Sequence, residues 1–283
     1  LKSTDKIIYV NELNQQVELS FFSVYFLKDL KERVDNELVD MKAIGRDGYV
    51  YNSSTLSARE ISLTGHIKLG KNIDSLERRL RNVFNPKLSG RLIYRNRELE
   101  KVIDVRVENL VEFNRAKGVS AFTIDLIAHN PFWREQEKVE YLALLSGKLV
   151  FPLVILKTTG VMFGLRQSIL ETEIENIGDV ESGFRVVFKA KGIVKNPEVE
   201  NKLSGEKIKV LVEMEKDDIV EVVNLPFKKM VYINGEKSFK SLDRLHSSFF
   251  NLEVGRNLIG YHAEINAINL DVILYYSPFF LGR

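Results

Sequence analysis

Strict alternation of apolar and polar residues over 60–69 constrains this chain more than any other feature. Ile61, Leu63, Ile67 and Leu69 alternate with Glu60, Ser62, Thr64, His66 and Lys68. Successive side chains of a strand point to opposite faces, so this pattern predicts a half-buried β-strand. The same period recurs at Ile103, Val105 and Val107 and at Phe122, Ile124 and Leu126, and residues 17–22 and 91–94 are further strand candidates. A helix is predicted from Asp74, where Asp74-Ser75-Leu76-Glu77 has the form of a capping box and Leu76, Leu80, Val83 and Phe84 share one face. Asn85-Pro86 must stop it, because proline removes a donor and forces the preceding residue out of the α region. A second helix is expected around residues 27–39.

The character of the chain changes at residues 130–138, where Asn130-Pro131-Phe132-Trp133 is followed by a charged run. A domain seam is placed there, dividing the chain into 1–138 and 139–283. Beyond it, short β-rich runs are punctuated by Gly, Asn and Asp: residues 149–156, 171–175, 184–190, 208–214, 219–223, 230–233 and 268–276. Short strands at regular spacing with turn punctuation predict an antiparallel sandwich. Trp133, the single tryptophan, is expected to pack between the domains.

Composition removes several function classes. With 41 Lys+Arg against 39 Asp+Glu, the net charge of +2 gives no global reason to bind nucleic acid or an anionic membrane. The absence of cysteine excludes disulfides, thiolate zinc sites, iron–sulfur clusters and thiol nucleophiles. The longest apolar run, interrupted by Pro152, is far short of the ~20 residues that span a bilayer. Leu1-Lys2-Ser3-Thr4-Asp5 has no apolar stretch or cleavage site, so export by the general secretory route is not expected.

Candidate chemistry is sparse. Residues 65–72, Gly-His-Ile-Lys-Leu-Gly-Lys-Asn, come within one residue of a phosphate-binding loop. Asn72 stands where a hydroxyl should ligate magnesium, and the alternation continues through Ile67 and Leu69, so a strand, a turn and a capped helix account for the segment. His66, His129, His246 and His262 show no paired metal-ligand spacing. Nothing local unites a serine with a histidine and a carboxylate, and Asp217-Asp218 reads as a hairpin turn. No cofactor is implied. One local asymmetry stands out: Lys71, Arg78, Arg79, Arg81, Lys87, Arg91, Arg95, Arg97 and Lys101 crowd one stretch. It reads either as a solvated helix face with a hairpin or as a surface that meets an acidic partner, a neighbouring subunit or DNA.

The order of motifs resembles the distal tail protein (Dit) family of long, non-contractile-tailed phages and related prophages. The matching residues are Gly45-Arg46-Asp47-Gly48-Tyr49, Arg59-Glu60-Ile61-Ser62-Leu63-Thr64-Gly65, Asn85-Pro86-Lys87 with Gly90-Arg91-Leu92, and Ala128-His129-Asn130-Pro131-Phe132-Trp133. In the second half they are Asn176-Ile177-Gly178-Asp179, Gly192 with Asn196-Pro197, and Leu252-Glu253-Val254-Gly255-Arg256-Asn257. Each fragment alone is generic; their order, spacing and the Asn-Pro-Phe-Trp ending together are more specific.

The resemblance implies a mainly β (α+β) chain: an N-terminal split-barrel-like β domain with a helix, then a galectin-like antiparallel β-sandwich. It also implies a homohexameric ring at the virion tail tip, assembled in the host cytoplasm. Such a ring joins the tail tube protein to a tail-associated lysin or fibre-anchoring protein and, in some phages, to receptor-binding proteins. DNA passes through its channel without specific binding, and no catalytic residue is implied. A closed ring uses head-to-tail contacts, so each subunit needs two different complementary patches, for which strand edges are natural places. Asp47 and Tyr49 in the 45–51 loop, together with Arg78, Arg79, Arg81 and Arg91, are the expected subunit or tube contacts. A host-surface carbohydrate-binding sandwich is the alternative, weakened by the lack of a tryptophan in the second half, and a β-sandwich glycosidase is a third reading.

Overall fold

A computed structural model of the chain describes residues 5–42, 44–45, 47–68, 72–116, 119–146, 165–167 and 171–283. It divides into two compact units: Leu1–Gln136 with Phe280–Arg283, and Glu137–Phe279. The last four residues, expected in the second domain, therefore cluster with the first.

The N-terminal unit contains β1 (Lys6–Asn11), β2 (Gln16–Ser20), β3 (Tyr25–Arg33), β4 (Asn36–Met41), β5 (Val50–Leu56), β6 (Arg59–Ile67), α1 (Ile73–Val83), β7 (Ser89–Arg95), β8 (Glu100–Val107), β9 (Glu112–Ala116), β10 (Val119–Ala128) and β11 (Trp133–Arg134). Neighbouring strands run β8-β7-β1-β2-β3-β6-β10, and β10 pairs again with β8 at Leu126–Val107, which closes the sheet into a barrel. The weak point is β2–β3, a parallel pairing of only Leu19 with Tyr25 and Ser20 with Phe26. The inward residues of β6, namely Ile61, Leu63 and Ile67, are buried with Ile103, Val105 and Val107 of β8 and Phe122, Ile124 and Leu126 of β10. The alternating pattern thus reports one barrel core.

Helix α1 packs Leu80, Val83 and the following Phe84 onto this core, with Leu76 at its margin. Its N-cap is Asn72 in a left-handed conformation and not Asp74 as the capping-box reading expects. Asp74 and Glu77 lie inside the helix, where Asp74 pairs with Arg115 and Glu77 receives Arg115 Nε at 2.7 Å. The second helix expected over 27–39 is absent; those residues form β3 and β4. A β-bulge between Leu27 and Asp29 shifts the phase of β3, so Leu27 and Leu30 face the same core three residues apart. That spacing imitates a helical period.

The second unit is an antiparallel sandwich. One sheet contains β12 (Lys138–Ser146), β13 (Leu165–Gln167), β15 (Phe184–Ala190), β19 (Ile219–Leu225), β20 (Lys228–Ile233), β21 (Glu236–Lys237) and β23 (Leu270–Tyr276). The other contains β14 (Glu171–Asn176), β16 (Val194–Asn201), β17 (Lys207–Lys209) and β22 (Gly255–Ile265), with β18 (Glu213–Met214) on β16. Phe184, Val186, Phe188, Val220, Val222, Val272 and Leu274 of the first sheet share a core with Ile174, Val199, Ile259, Tyr261 and Ala263 of the second. Residues 208–214, expected as one strand, are split between β17 and β18, and residues 267–269 form a single 3-10 turn before β23. The run 149–156 lies outside the described residues.

Candidate functional site

Among the described residues no group of three or more His, Asp or Glu side chains could hold a metal ion. The N-terminal unit carries the residues expected as subunit or tube contacts. Between β3 and β6 the chain leaves the barrel as a two-stranded arm, β4 paired with β5 from Asn36–Leu56 to Met41–Val50. Every residue of both strands is exposed except Leu56, which is half-buried. The arm nevertheless displays Leu38, Val39, Met41, Ile44, Tyr49, Val50 and Tyr51. Its root is pinned: Asp35 N–H donates to Ser57 Oγ at 3.0 Å and Ser57 N–H to the Asp35 carbonyl at 2.9 Å. Arg33 pairs with Asp35 at the same point, which holds the guanidinium firmly protonated. Asp47 and Tyr49 both lie on the exposed distal part of this arm, beside Gly45 and Gly48, whose φ of 75° and 91° suit glycine.

Of the arginines expected as contacts, Arg78 and Arg79 share one surface and Arg81 and Arg91 do not join them there. Arg78 and Arg79 line an open groove between α1 and β2 with Gln15, Gln16 and Asn82. Arg81 is turned back onto its own unit, 4.6 Å over the Phe113 ring and 4.0 Å from Glu77. Arg91 is exposed on β7, opposite Val10 of β1 and Asp104 of β8. Glu77 itself is buried, accepts from Arg115 and from Ser120 Oγ at 2.7 Å, and is held below the usual carboxylate range chiefly by the Arg115 hydrogen bond. The phosphate-loop lookalike resolves into strand through Ile67, with residues 69–71 outside the described set. Gly65 is explained by packing: a Cβ there would collide with the Phe26 carbonyl and the Phe122 ring.

Two features escaped the sequence reading. The first is a buried clasp at the arm's root. Arg59, 5% exposed, donates Nε to the Pro131 carbonyl, Nη1 to Glu32 and Nη2 to the Leu281 carbonyl, each at 2.6 Å. Glu32 also accepts from Trp133 Nε1 at 3.1 Å and from Arg283 Nη1 at 3.0 Å, while Lys101 Nζ donates to the Gly282 carbonyl at 3.0 Å. Trp133 is fully buried in the core of the N-terminal unit. The only local sign was Arg59 itself, in phase with Ile61 and Leu63 and therefore on the core-facing side. The second is an exposed aromatic patch in the β2–β3 turn. Phe21 meets Phe22 and Phe26 edge-on at 5.2 and 5.4 Å, Phe26 lies 4.5 Å from the His66 ring, and Val24 is exposed beside them. Lys68 Nζ to the Phe21 carbonyl, Ser23 N–H to Ser20 Oγ and Ser23 Oγ to the Glu18 carbonyl fix the turn that presents it.

The chain thus combines a barrel carrying an exposed arm and a helix with a sandwich. Residues 12–128 match the family model described as phage tail protein RIFT-related domain, and residues 177–279 match that of the siphovirus-type tail component, C-terminal domain. The chain belongs to the siphophage distal tail protein family. The crystal structure of SPP1 Dit (gp 19.1), described as a paradigm of hub adsorption apparatus in Gram-positive infecting phages, shares its fold with a TM-score of 0.70 at 12% identity. That match covers 97% of this chain and 99% of that one. A chain of the phage p2 baseplate in its activated conformation with Sr gives a TM-score of 0.51 at 11% identity over 96% and 97% of the two chains. No curated protein sequence matches this chain. It is a structural component of a virion tail, the class to which hub and baseplate proteins belong.

Proposed function

We propose that this chain assembles into a homohexameric ring at the tail tip, with the N-terminal unit forming the ring and the sandwich unit projecting outward. The N-terminal domain is taken as 1–138 and the C-terminal domain as 139–283. In this reading the ring joins the tail tube protein to a tail-associated lysin or fibre-anchoring protein and to receptor-binding proteins, and it surrounds the channel through which DNA passes without being held. The chain itself performs no catalysis, and assembly occurs in the host cytoplasm. The observation that carries the reading is the β4–β5 arm, whose large apolar side chains are exposed on strands that bury nothing in their own subunit. Isolated two-stranded hairpins are marginal in water, so an arm of this kind implies a partner that covers it. Asp47 and Tyr49 sit where that partner meets the arm, and Arg78, Arg79 and Arg91 are offered to tube or subunit; Arg81 contributes to the helix packing instead. Light scattering with negative-stain imaging tests the proposal: a mass six times the subunit's 32.6 kDa and a ring with a central hole are expected. A compact dimer or an open filament would overturn it.

A further inference from the structure

Residues 280–283 follow the sandwich in the chain but belong to the N-terminal unit, so the sandwich is an insertion between two parts of one barrel. They engage four of the barrel strands. Phe280 packs against the barrel core, with Lys101 Nζ of β8 3.8 Å over its ring. The Leu281 carbonyl accepts from Arg59 of β6 at 2.6 Å, and the Gly282 carbonyl accepts from Lys101 at 3.0 Å. Arg283 donates to Glu32 of β3 at 3.0 Å and lies 5.6 Å over the Tyr94 ring of β7. Arg59 and Lys101 are buried cations, 5% and 7% exposed, and a buried cation that loses an acceptor is costly. For each of them one acceptor arrives only with a segment synthesised after the sandwich.

We propose that residues 280–283 are a strap through which folding of the sandwich closes the end of the barrel from which the arm leaves. Two observations make the coupling. Glu32 and Arg59 flank the Arg33–Glu60 pair at which β3 and β6 end, and the Asp35–Ser57 tie at the arm's root follows directly. The strap therefore seats on the strand pair that continues into the arm. Within the sandwich, the first strand β12 and the last strand β23 pair with Lys138 opposite Tyr276, so the chain enters and leaves that unit side by side. A folded sandwich thus holds the strap on a short tether. An unfolded one puts it at the end of a flexible loop of about 140 residues, and closing a loop of that length lowers the strap's occupancy on the order of 10³-fold. A subunit whose sandwich is incomplete keeps an open barrel end and a loosened arm root, so the surface offered for assembly is finished only in a fully folded chain. The strap is a device of one subunit, and only its consequence for assembly rests on the ring reading above.

Hydrogen exchange on variants of the whole chain tests this. Deleting residues 280–283 removes the strap, and Phe188→Asp places a charge in the sandwich core and opens that unit while leaving the strap's own residues intact. In both, the amides of residues 30–33 and 59–62 should exchange about tenfold to a hundredfold faster than in the parent, the range that loss of charge-assisted hydrogen bonds sets. The amides of residues 122–126, at the barrel core, should keep their protection. Phe280→Ser with Arg283→Ser keeps the chain length and should give a smaller rise at the same residues. Unchanged exchange at 30–33 and 59–62 in the deletion chain overturns the strap, and a rise there without one in Phe188→Asp overturns its coupling to the sandwich. Loss of protection at 122–126 in both the deletion and the double-serine chain overturns a local device, since the whole barrel would then depend on these residues. Light scattering reads the consequence for assembly: the parent is expected as a ring and the deletion and Phe188→Asp chains as smaller species. A parent that does not assemble overturns the ring reading and leaves the strap to stand or fall on exchange.

Discussion

Strands β3 and β6 continue, after a tie at Asp35 and Ser57, into β4 and β5, so one antiparallel ladder is half barrel wall and half exposed arm. The first half buries Tyr25, Leu27, Leu30, Ile61, Leu63 and Ile67; the second buries none of its residues. Backbone pairing is of the same kind in both. What differs is the layer that covers the side chains, and a paired ladder without such a layer has little stability of its own. The contrast separates residues retained for folding from residues exposed for assembly.

Leu63→Ala in β6 should show the largest effect, a loss of about 2–5 kcal/mol for a fully buried side chain. The hinge between the halves comes next. Arg59 and Glu32 lie at the last turn of the barrel wall before the arm, and each satisfies the other together with Trp133, Pro131 and the carbonyl of Leu281. Arg59→Ala leaves the half-buried Glu32 with an indole and one arginine and frees the Pro131 and Leu281 carbonyls of their donor, and losing charge-assisted hydrogen bonds of this kind costs about 1.5–3 kcal/mol. Urea denaturation should show both losses in full, and a change below about 1 kcal/mol for Arg59→Ala would mean that the clasp does not hold the barrel end.

The covering layer that the arm lacks is supplied to the wall in part by α1, and its attachment has a pH signature. Glu77 joins the helix to β9 and β10 through Arg115 and Ser120, and Arg115 lowers its carboxyl pKa in the folded chain. A group whose folded pKa is depressed contributes stability that is complete above its unfolded pKa and is lost as pH falls through the folded one. Glu77→Gln should therefore cost about 1–3 kcal/mol at neutral pH and flatten the decline of stability below about pH 4. Denaturation curves at pH 7 and pH 3.5 decide it; an unchanged acid limb would show that other carboxylates set it.

What was legible in the sequence follows the same division. Wall strands β6, β8 and β10 face a core on one side, so their burial is written as a two-residue period, and α1 carries its apolar face at helical spacing. Strand β3 misled because its bulge places Leu27 and Leu30 on one face. The arm has no inner face and therefore no period to read: Asn36-Glu37-Leu38-Val39-Asp40-Met41 alternates with nothing, and only the glycine-bounded 45–51 segment marked the place. In the sandwich, β16 was hidden by Pro197 and β22 by its glycines and charges, although both lie at the centre of their sheet. The clasp was invisible for another reason: Glu32, Arg59, Trp133 and Arg283 are brought together only by the closed barrel.

The smallest expected effect is the one that gives the comparison its meaning. Leu38→Ala and Tyr51→Ala remove side chains that are 58% and 61% exposed and touch no core, so each should change the stability of the isolated subunit by less than about 0.5 kcal/mol. Leu63→Ala, on a strand of the same ladder, should cost several times more. Loss of stability in the arm variants comparable to Leu63→Ala would mean that the arm packs on its own subunit in solution, and the distinction between wall and arm would disappear. If the monomer is indifferent while assembly weakens, the apolar surface of β4 and β5 has no role in folding, and the contact it makes must be supplied by another molecule.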